Sequence, residues 1–200
     1  KELLDKIEQT RLNSYLIANP TLSNVGILLS SATGIRIGEL CALKWENIDL
    51  EEKILTVKET AQRIKNIGGA TATKLVITSP KSSSSVREIP LPEFIVPLLK
   101  KLKSNDGCYL LSGTKNIIEP RVMQYRFKRI LTELNLSEVS FHSLRHGFAT
   151  NCIAIGVDVK TLSEILGHSS VEITLNRYVH SSMERKAEYM KSLSAIFTVA

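Results

Sequence analysis

The sequence is poor in the residues that build disulfide frameworks and metal sites. Its three cysteines, Cys41, Cys108 and Cys152, are odd in number, widely spaced, and form no CxxC or paired Cys/His pattern. Such cysteines are typical of reduced, buried thiols in a cytoplasmic protein. No window approaches the roughly 18 uninterrupted apolar residues that a membrane span requires, and the start, KELLDKIEQT, is too charged for a signal peptide. We therefore predict a cytoplasmic protein without a membrane segment.

The composition is otherwise that of a folded domain with a basic surplus. Of the 200 residues, 43% are hydrophobic and 23% are charged, values that fit one domain with a single core. Lys and Arg number 26 against 20 Asp and Glu, giving a formal charge of +6 and a pI near 9.2. This surplus favours a polyanionic partner, although many basic proteins bind no nucleic acid.

Apolar residues recur at helical spacing through most of the chain. Breaks at Pro20 and Gly34, a cap at Asp158 and a stop at Gly167 divide this pattern into segments. Pro97 lies inside one segment and should restrict or kink it. We expect helices in residues 3–18, 22–32, 36–50, 92–103, 120–134, 143–155, 159–167 and 171–178, with a final amphipathic segment in residues 183–197.

The period changes from helical to two in the middle of the chain. Residues 53–64, 72–80 and 85–91 are rich in Val, Ile and Thr and predict three antiparallel strands. Gly68 and Gly69 mark the first turn, and Lys81 with four successive serines marks the second. The predicted fold class is therefore α+β, mainly α-helical with a small three-stranded antiparallel sheet.

Residues 141–178 concentrate groups suited to an anionic substrate. Within a few helical turns they contain His142, Arg145, His168 and Tyr178, without an accompanying pair of carboxylates. His, Arg and Tyr side chains, without carboxylates to hold a metal, suit an anionic substrate that is held by hydrogen bonds and positive charge. The segment therefore predicts phosphate chemistry.

Two arginines are candidates for clamping a phosphodiester, whose transition state adds negative charge to the nonbridging oxygens. Arg36 lies at the start of a predicted helix, where backbone donors also favour an anion. Arg145 is the second candidate, and a guanidinium presents a planar fork of donors that stays protonated. His142 shares a helical face with Arg145 at the i, i+3 spacing and exchanges protons near neutrality.

Three more residues complete the predicted chemistry. Tyr178 is the candidate nucleophile, because a strong positive field or a nearby base activates a phenol. Lys81, at the tip of a hairpin, is the candidate general acid for the leaving oxygen, and His168 would donate a further hydrogen bond to the phosphate.

Each candidate also has a structural interpretation, which the residues alone leave open. A helical tyrosine usually packs or lies on the surface, His168 could cap a helix, Arg36 could pair with Glu39, and Lys81 could be a solvated loop residue. We leave four neighbours as supports or surface residues: Arg87, His146, Arg177 and His180.

The helix predicted at residues 120–134 carries a polar face opposite its apolar stripe of Met123, Phe127, Ile130, Leu131 and Leu134. The polar face offers Arg121, Gln124 and Lys128, flanked by Arg126 and Arg129. A solvated charged face and a DNA-binding face fit this pattern equally well.

With six of these residues in order, the chain strongly resembles the catalytic domain of tyrosine recombinases, the phage integrase family. The matching positions are Arg36, Lys81, His142, Arg145, His168 and Tyr178. The segments that carry the resemblance are ATGIRIGELCALKWENIDL, SPKSSSSVREIPL, FHSLRHGFAT, LGHSS and NRYVH.

The resemblance implies site-specific DNA recombination or integration through a 3′-phosphotyrosyl intermediate, with no metal or other cofactor. It implies double-stranded DNA as partner and a homotetramer on paired DNA sites, with the present piece monomeric by itself. The hairpin from about Val57 to Leu75 is longer than in compact members and is similar to that of integrases of conjugative transposons and prophages.

Nothing in residues 1–200 corresponds to the amino-terminal core-binding domain of the family, so we expect a catalytic-domain fragment. Three other readings remain open: a type IB topoisomerase, a noncatalytic DNA-binding module, and a metal-dependent nuclease, against which the lack of a carboxylate cluster argues.

Overall fold

The structure, a computed structural model, describes residues 3–66, 72–79 and 86–178 and five isolated residues after them, 187, 190, 191, 193 and 194. At the end of the third range, only the backbone of residues 177 and 178 is described. The helices in these ranges are α1 (Lys6–Ala18), α2 (Leu22–Thr33), α3 (Ile37–Ala42), α4 (Val96–Leu102), α5 (Pro120–Glu133), α6 (His142–Ala154), α7 (Val159–Leu166) and α8 (Val171–Tyr178). Most of the final amphipathic segment lies outside the described residues.

The predicted cap residues set the helix ends. Asp158 caps α7, its carboxylate accepting from the Thr161 backbone N–H at 2.9 Å. Helices α2 and α7 both end at a left-handed glycine, Gly34 with φ +68° and Gly167 with φ +64°. Glycine adopts this conformation without the steric penalty that a side chain brings. Gly167 therefore turns the chain sharply before His168.

Helix α3 is shorter than the sequence predicted. It ends at Ala42 because Leu43 adopts an extended conformation and Lys44 pairs with Tyr109 in an isolated β-bridge. A single 3-10 turn over Trp45–Asn47 then buries the indole ring. Pro97 causes no interruption, because it lies in the first turn of α4, where its missing N–H has no helical partner to lose.

Two antiparallel sheets take the place of the single predicted one. Strands β1 (Ile48–Asp49), β2 (Ile54–Val57) and β5 (Arg87–Pro90) form a three-stranded sheet in the order β1-β2-β5. Strands β3 (Thr60–Lys65) and β4 (Thr73–Thr78) form a separate hairpin. The small three-stranded sheet is thus confirmed, but its predicted membership is wrong.

The error lies in residues 53–64, which the sequence predicted as one strand. Residues 58 and 59 interrupt the pattern and divide the segment between the two sheets. Leu55 and Val57 of β2 enter the core, whereas β3 is exposed beyond Ala61. A Cβ at Gly38 of α3 would lie 2.6 Å from the Ala61 carbonyl oxygen, so α3 packs closely on the start of the hairpin.

One large core and one small core organise the described residues. The large core contains the apolar stripe predicted on α5, of which all but the partly buried Leu134 are fully enclosed. The small core joins α6 to α7 through Ala149, Ile153, Leu162 and Leu166. The small core fixes the carboxyl end of α7 beside α6.

No helix in the described ranges is long and apolar enough to cross a membrane.

The three cysteines are free thiols, as predicted, but Cys108 is only partly buried. Cys41 is fully buried in the large core, and this burial raises the pKa of its thiol to about 12. Burial also raises the pKa of Cys152, in the small core. These two thiols therefore act as small apolar side chains.

We expect Gly34→Ala to lower the free energy of unfolding by about 2–4 kcal/mol, since left-handed strain and overpacking both contribute. A Cβ there would lie 2.6 Å from Phe148 Cδ1 and 2.8 Å from Leu166 Cδ2. The matched control is Gly156→Ala, with φ +86° but no atom within 4 Å of the added carbon, which should cost about 1–2 kcal/mol from strain alone. Urea unfolding measures both, and equal losses would contradict tight packing at Gly34.

Candidate functional site

Three arginines from different elements bind consecutive carbonyl groups at the carboxyl end of α7. Arg87 Nε donates to the Ile165 oxygen at 2.6 Å, Arg145 Nη2 to Leu166 at 2.8 Å, and Arg36 Nη2 to Gly167 at 3.2 Å. The last carbonyls of a helix lack intrahelical partners and carry the negative end of its dipole. We call Arg36, Arg87 and Arg145 the arginine clamp.

Glu39 bridges two members of this clamp. Its Oε1 accepts from Arg36 Nη1 at 2.9 Å and from Arg87 Nη1 at 3.0 Å. Its Oε2 accepts from the Arg36 backbone N–H at 2.9 Å and from Arg87 Nη2 at 2.8 Å. The structural ion pair between Arg36 and Glu39 that the sequence left open is therefore present, and it lies inside the site.

Opposing effects act on the ionisation of Glu39, whose side chain is only 7% exposed. Burial alone would raise its pKa, but the hydrogen bonds and charge of Arg87, with a contribution from Arg36, outweigh burial and hold the pKa below its usual value. Glu39 therefore stays ionised at neutral pH and fixes both guanidinium groups.

The clamp arginines differ in their access to solvent. Arg36 precedes α3, as predicted, and its side chain is 38% exposed. Arg145 is buried on α6 and also donates through Nη1 to the Gly34 oxygen at 2.8 Å, which joins the end of α2 to the end of α7. Arg87 is buried as well. Arg36 is therefore the clamp member with the most surface available to a ligand.

The first two turns of α6 hold two imidazole rings in contact with each other. His142 begins the helix and is exposed, three residues before Arg145. Its ring meets that of His146 edge to face, with centroids 4.7 Å apart and an interplanar angle of 85°. His146, which the sequence left as a support, thus contacts the predicted catalytic histidine directly.

His168 follows Gly167 and is held from two sides. Its backbone N–H donates to the Ser163 oxygen at 3.1 Å. Its ring Nδ1 lies 2.7 Å from the hydroxyl of Thr174 on α8. The residue before His168 is Gly167, whose carbonyl oxygen accepts from Arg36.

The structure thus gathers Arg36, Arg145 and His168 at the carboxyl end of α7, with His142 on the same helix as Arg145. Lys81 lies outside the described residues. Tyr178 is the last residue of α8, and its side chain also lies outside the described part.

Sequence reasoning missed the roles of Arg87 and Glu39. Arg87 could have been found from its spacing. It lies two residues before Ile89 on β5, so both side chains point to the same, inward face of the strand. Glu39 offered only its i+3 spacing to Arg36, which predicts a structural ion pair and no contact beyond it. Its contact with Arg87, 48 positions away, carries no local signal.

The polar face of α5 is exposed at Arg121, Gln124 and Lys128. Lys128 Nζ lies 2.6 Å from Glu138 Oε1 in an exposed ion pair. Arg126 turns away from this face and binds the Ser23 hydroxyl. A solvated face and a DNA-binding face both require this exposure, so DNA binding by α5 stays a prediction.

In the described ranges, no three His, Cys, Asp or Glu side chains gather as metal donors would. Arginine and histidine side chains gather at the carboxyl end of α7 instead, and side chains of these types can bind phosphate. A family model for the phage integrase family matches residues 2–185, and the chain belongs to that family.

Relatives in the family are named as recombinases and transposases. The chain is 34% identical over 189 residues to a tyrosine recombinase XerC-like protein of Caldanaerobacter subterraneus subsp. tengcongensis, covering 85% of this chain and 48% of that protein. It is 28% identical over 216 residues to the transposase from transposon Tn916 of Enterococcus faecalis, covering 97% and 51%. The chain thus spans about half the length of the curated relatives it matches.

Solved structures share the fold. The Tn1549 transposon integrase, in complex with circular intermediate DNA, superposes with a TM-score of 0.78 at 24% identity, covering 96% of this chain and 66% of that one. The crystal structure of XerA recombinase gives a TM-score of 0.69 at 24% identity, with coverage of 96% and 65%. The mainly helical α+β fold predicted from the sequence is therefore confirmed.

We expect Glu39→Gln to lower the free energy of unfolding at neutral pH by on the order of 3 kcal/mol, as loss of one buried charge partner does. Because the folded-state pKa of Glu39 lies below its reference value of 4.5, its stabilisation is complete above pH 4.5 and is lost as pH falls through the folded-state pKa. The difference between the two proteins should therefore shrink in acid.

Urea unfolding over a pH series measures this difference. Glu88→Gln is the matched control on β5, where the exposed carboxylate should change stability by less than about 0.5 kcal/mol. A difference for Glu39→Gln that does not change between neutral pH and acid would contradict an ionised bridge.

Proposed function

We propose that this chain is the catalytic domain of a site-specific DNA recombinase that cleaves and rejoins strands through a 3′-phosphotyrosyl intermediate. The observation that carries the proposal is the convergence of Arg36, Arg145 and His168 at the carboxyl end of α7, directly before the helix that ends in Tyr178. Membership of the phage integrase family supports it.

The arginines bind the nonbridging oxygens of the scissile phosphate. A guanidinium carries five N–H donors, so one arginine can bond the protein backbone and a phosphate together. Arg36 and Arg145 are already oriented by carbonyl groups of the protein. Little reorganisation is then needed as charge builds up in the transition state. His168 donates a further hydrogen bond to the same phosphate.

Bond making and breaking fall to Tyr178, His142 and Lys81. The Tyr178 oxygen attacks phosphorus while the bond to the 5′ oxygen breaks, and His142 accepts the phenol proton. Lys81 gives a proton to the departing 5′ oxygen. The new P–O bond to tyrosine retains the energy of the phosphodiester, so a 5′ hydroxyl of another strand reverses the chemistry without a metal or nucleotide cofactor.

The whole protein would contain more than this domain. We propose that an amino-terminal core-binding domain, as the family resemblance implies, accompanies it; the described relatives are about twice as long as the part that this chain matches. The partners we propose are double-stranded DNA and three further copies of the protein on paired sites, in the cytoplasm, with the present piece monomeric by itself. The exposed face of α5 would contact the DNA backbone.

We expect a nicked suicide DNA substrate to trap a covalent adduct with the full-length protein, and peptide mapping to place it on Tyr178. Tyr178→Phe should abolish the adduct, because the nucleophilic oxygen is gone. Tyr109→Phe, which removes the hydroxyl of a tyrosine in the connection between α4 and α5, is the matched control and should leave it unchanged. Adduct formation by the Tyr178 variant would refute the assignment.

The same trap tests the clamp, and two further assays test the competing activities. Arg36→Ala should slow cleavage by on the order of a hundredfold, as loss of a transition-state donor does. Relaxation of supercoiled DNA without exchange between two sites would indicate a topoisomerase instead. Cleavage that stops in EDTA would indicate a metal-dependent nuclease.

For the α5 face, we expect Arg121→Ala to weaken DNA binding equally for all sequences and to reduce the salt slope by about 1. Arg121 is a sharper probe than Lys128, whose ammonium is already paired with Glu138. Lys100→Ala on α4 removes an equal charge from an exposed pair with Glu51 and is the control. Binding isotherms over a range of salt would contradict the role if both variants gave the wild-type slope.

A further inference from the structure

The most deeply buried of the described side chains on helix α8 is a threonine. Of its six side chains that the structure describes, Thr174 is buried and the other five are exposed. The exposed set includes three apolar residues, Val171, Ile173 and Leu175. A buried hydroxyl needs a hydrogen-bond partner. That of Thr174, which is 0% exposed, lies 2.7 Å from His168 Nδ1.

We propose that Thr174 is a positioning residue that holds His168 in the tautomer with its hydrogen on Nε2. The Thr174 hydroxyl donates to Nδ1, so the neutral ring carries its hydrogen on the other nitrogen. A hydroxyl can donate or accept, and the ring then takes the complementary role. This inference rests on the proposed function, in which His168 donates to a phosphate.

The chemistry of the ligand decides the direction of this hydrogen bond. Phosphate oxygens of a diester only accept, so a neutral His168 binds one only through an N–H. If Nδ1 carried the hydrogen and Thr174 accepted it, Nε2 would present a lone pair to the anion. Donation by Thr174 therefore makes His168 a phosphate donor that needs no second proton.

The positive charges around His168 favour a neutral imidazole over a protonated one. The three clamp arginines bind the carbonyls of the three preceding residues, and Glu39 supplies one carboxylate. In the proposed tautomer, His168 adds a hydrogen-bond donor to this group without adding a fourth positive charge.

Thr174 also connects the phosphate site to the nucleophile. Thr174 and Tyr178 are four residues apart on α8, a spacing that places two residues on one face of a helix, one turn apart. Helix α8, which ends in the proposed nucleophile, thereby sets the tautomer of His168, the proposed phosphate donor that precedes this helix. His168 is fully prepared only when α8 lies against the end of α7.

15N NMR of the full-length protein in the absence of DNA tests the tautomer of His168. We expect long-range 1H–15N spectra near pH 8, where an ordinary imidazole is neutral, to show His168 with an unprotonated Nδ1 and a hydrogen on Nε2. His168→Gln assigns the signals. Thr174→Val, which keeps the side-chain shape, should give a mixture of tautomers, whereas Thr174→Ser should retain the wild-type state.

The opposite tautomer in the unmodified protein would overturn the proposal, and so would an unchanged tautomer in Thr174→Val. The first of these measurements needs no Thr174 variant, so a folding defect cannot obscure it. Because no cleavage is required, the result is also independent of the proposed recombination.

A double-mutant cycle with the suicide substrate tests the catalytic consequence. Thr174→Val should slow cleavage about threefold to tenfold, the effect expected for one hydrogen bond, and Thr174→Ser should restore it. In a His168→Ala background, Thr174→Val should have no further effect, because Thr174 acts through His168. Equal slowing in both backgrounds would assign Thr174 to helix packing and overturn the positioning role.

Discussion

The attraction between three guanidinium groups and the carboxyl end of α7 is the interaction on which the site depends. Arg36 comes from the start of α3, Arg87 from β5 and Arg145 from α6, so elements distant in sequence meet at three successive carbonyls. These carbonyls would otherwise lack helical partners. The contacts that complete the fold here therefore also create a concentration of positive charge beside His168.

Backbone geometry and one carboxylate make this concentration of charge possible. Gly34 and Gly167 adopt left-handed conformations that end α2 and α7 where the arginines reach their carbonyls. Glu39 offsets part of the repulsion and fixes two of the guanidiniums. A buried ion pair of this kind is weak evidence for high stability, since desolvation opposes attraction. Its clearer consequence is orientation, which phosphate recognition requires.

Local signals explain how much of this could be predicted from the sequence. Asp158 and Gly167 marked the limits of α7 because caps and left-handed turns depend on residues within a few positions. The predicted strand over residues 53–64 was wrong because the choice between two sheets is made by packing against α3, which no local pattern reveals. The bridge from Glu39 to Arg87 is likewise nonlocal. The order of six motif residues still indicated the family, because function constrains residue types across the whole chain.

The attachment of α8 differs in kind from that of the clamp. A hydrogen bond contributes about 1 kcal/mol net, whereas full burial of an apolar side chain contributes about 1.5–3 kcal/mol. Leu162 and Leu166 anchor α7 by such burial, whereas Val171, Ile173 and Leu175 of α8 are only partly covered, with 38–41% of each exposed. Arg36 and Arg145, the proposed phosphate ligands, thus rest on packed elements, whereas α8, which ends in the proposed nucleophile, combines partial apolar burial with the contact between Thr174 and His168. Because that contact ends on His168, the two proposals together couple the docking of α8 to the preparation of the phosphate site.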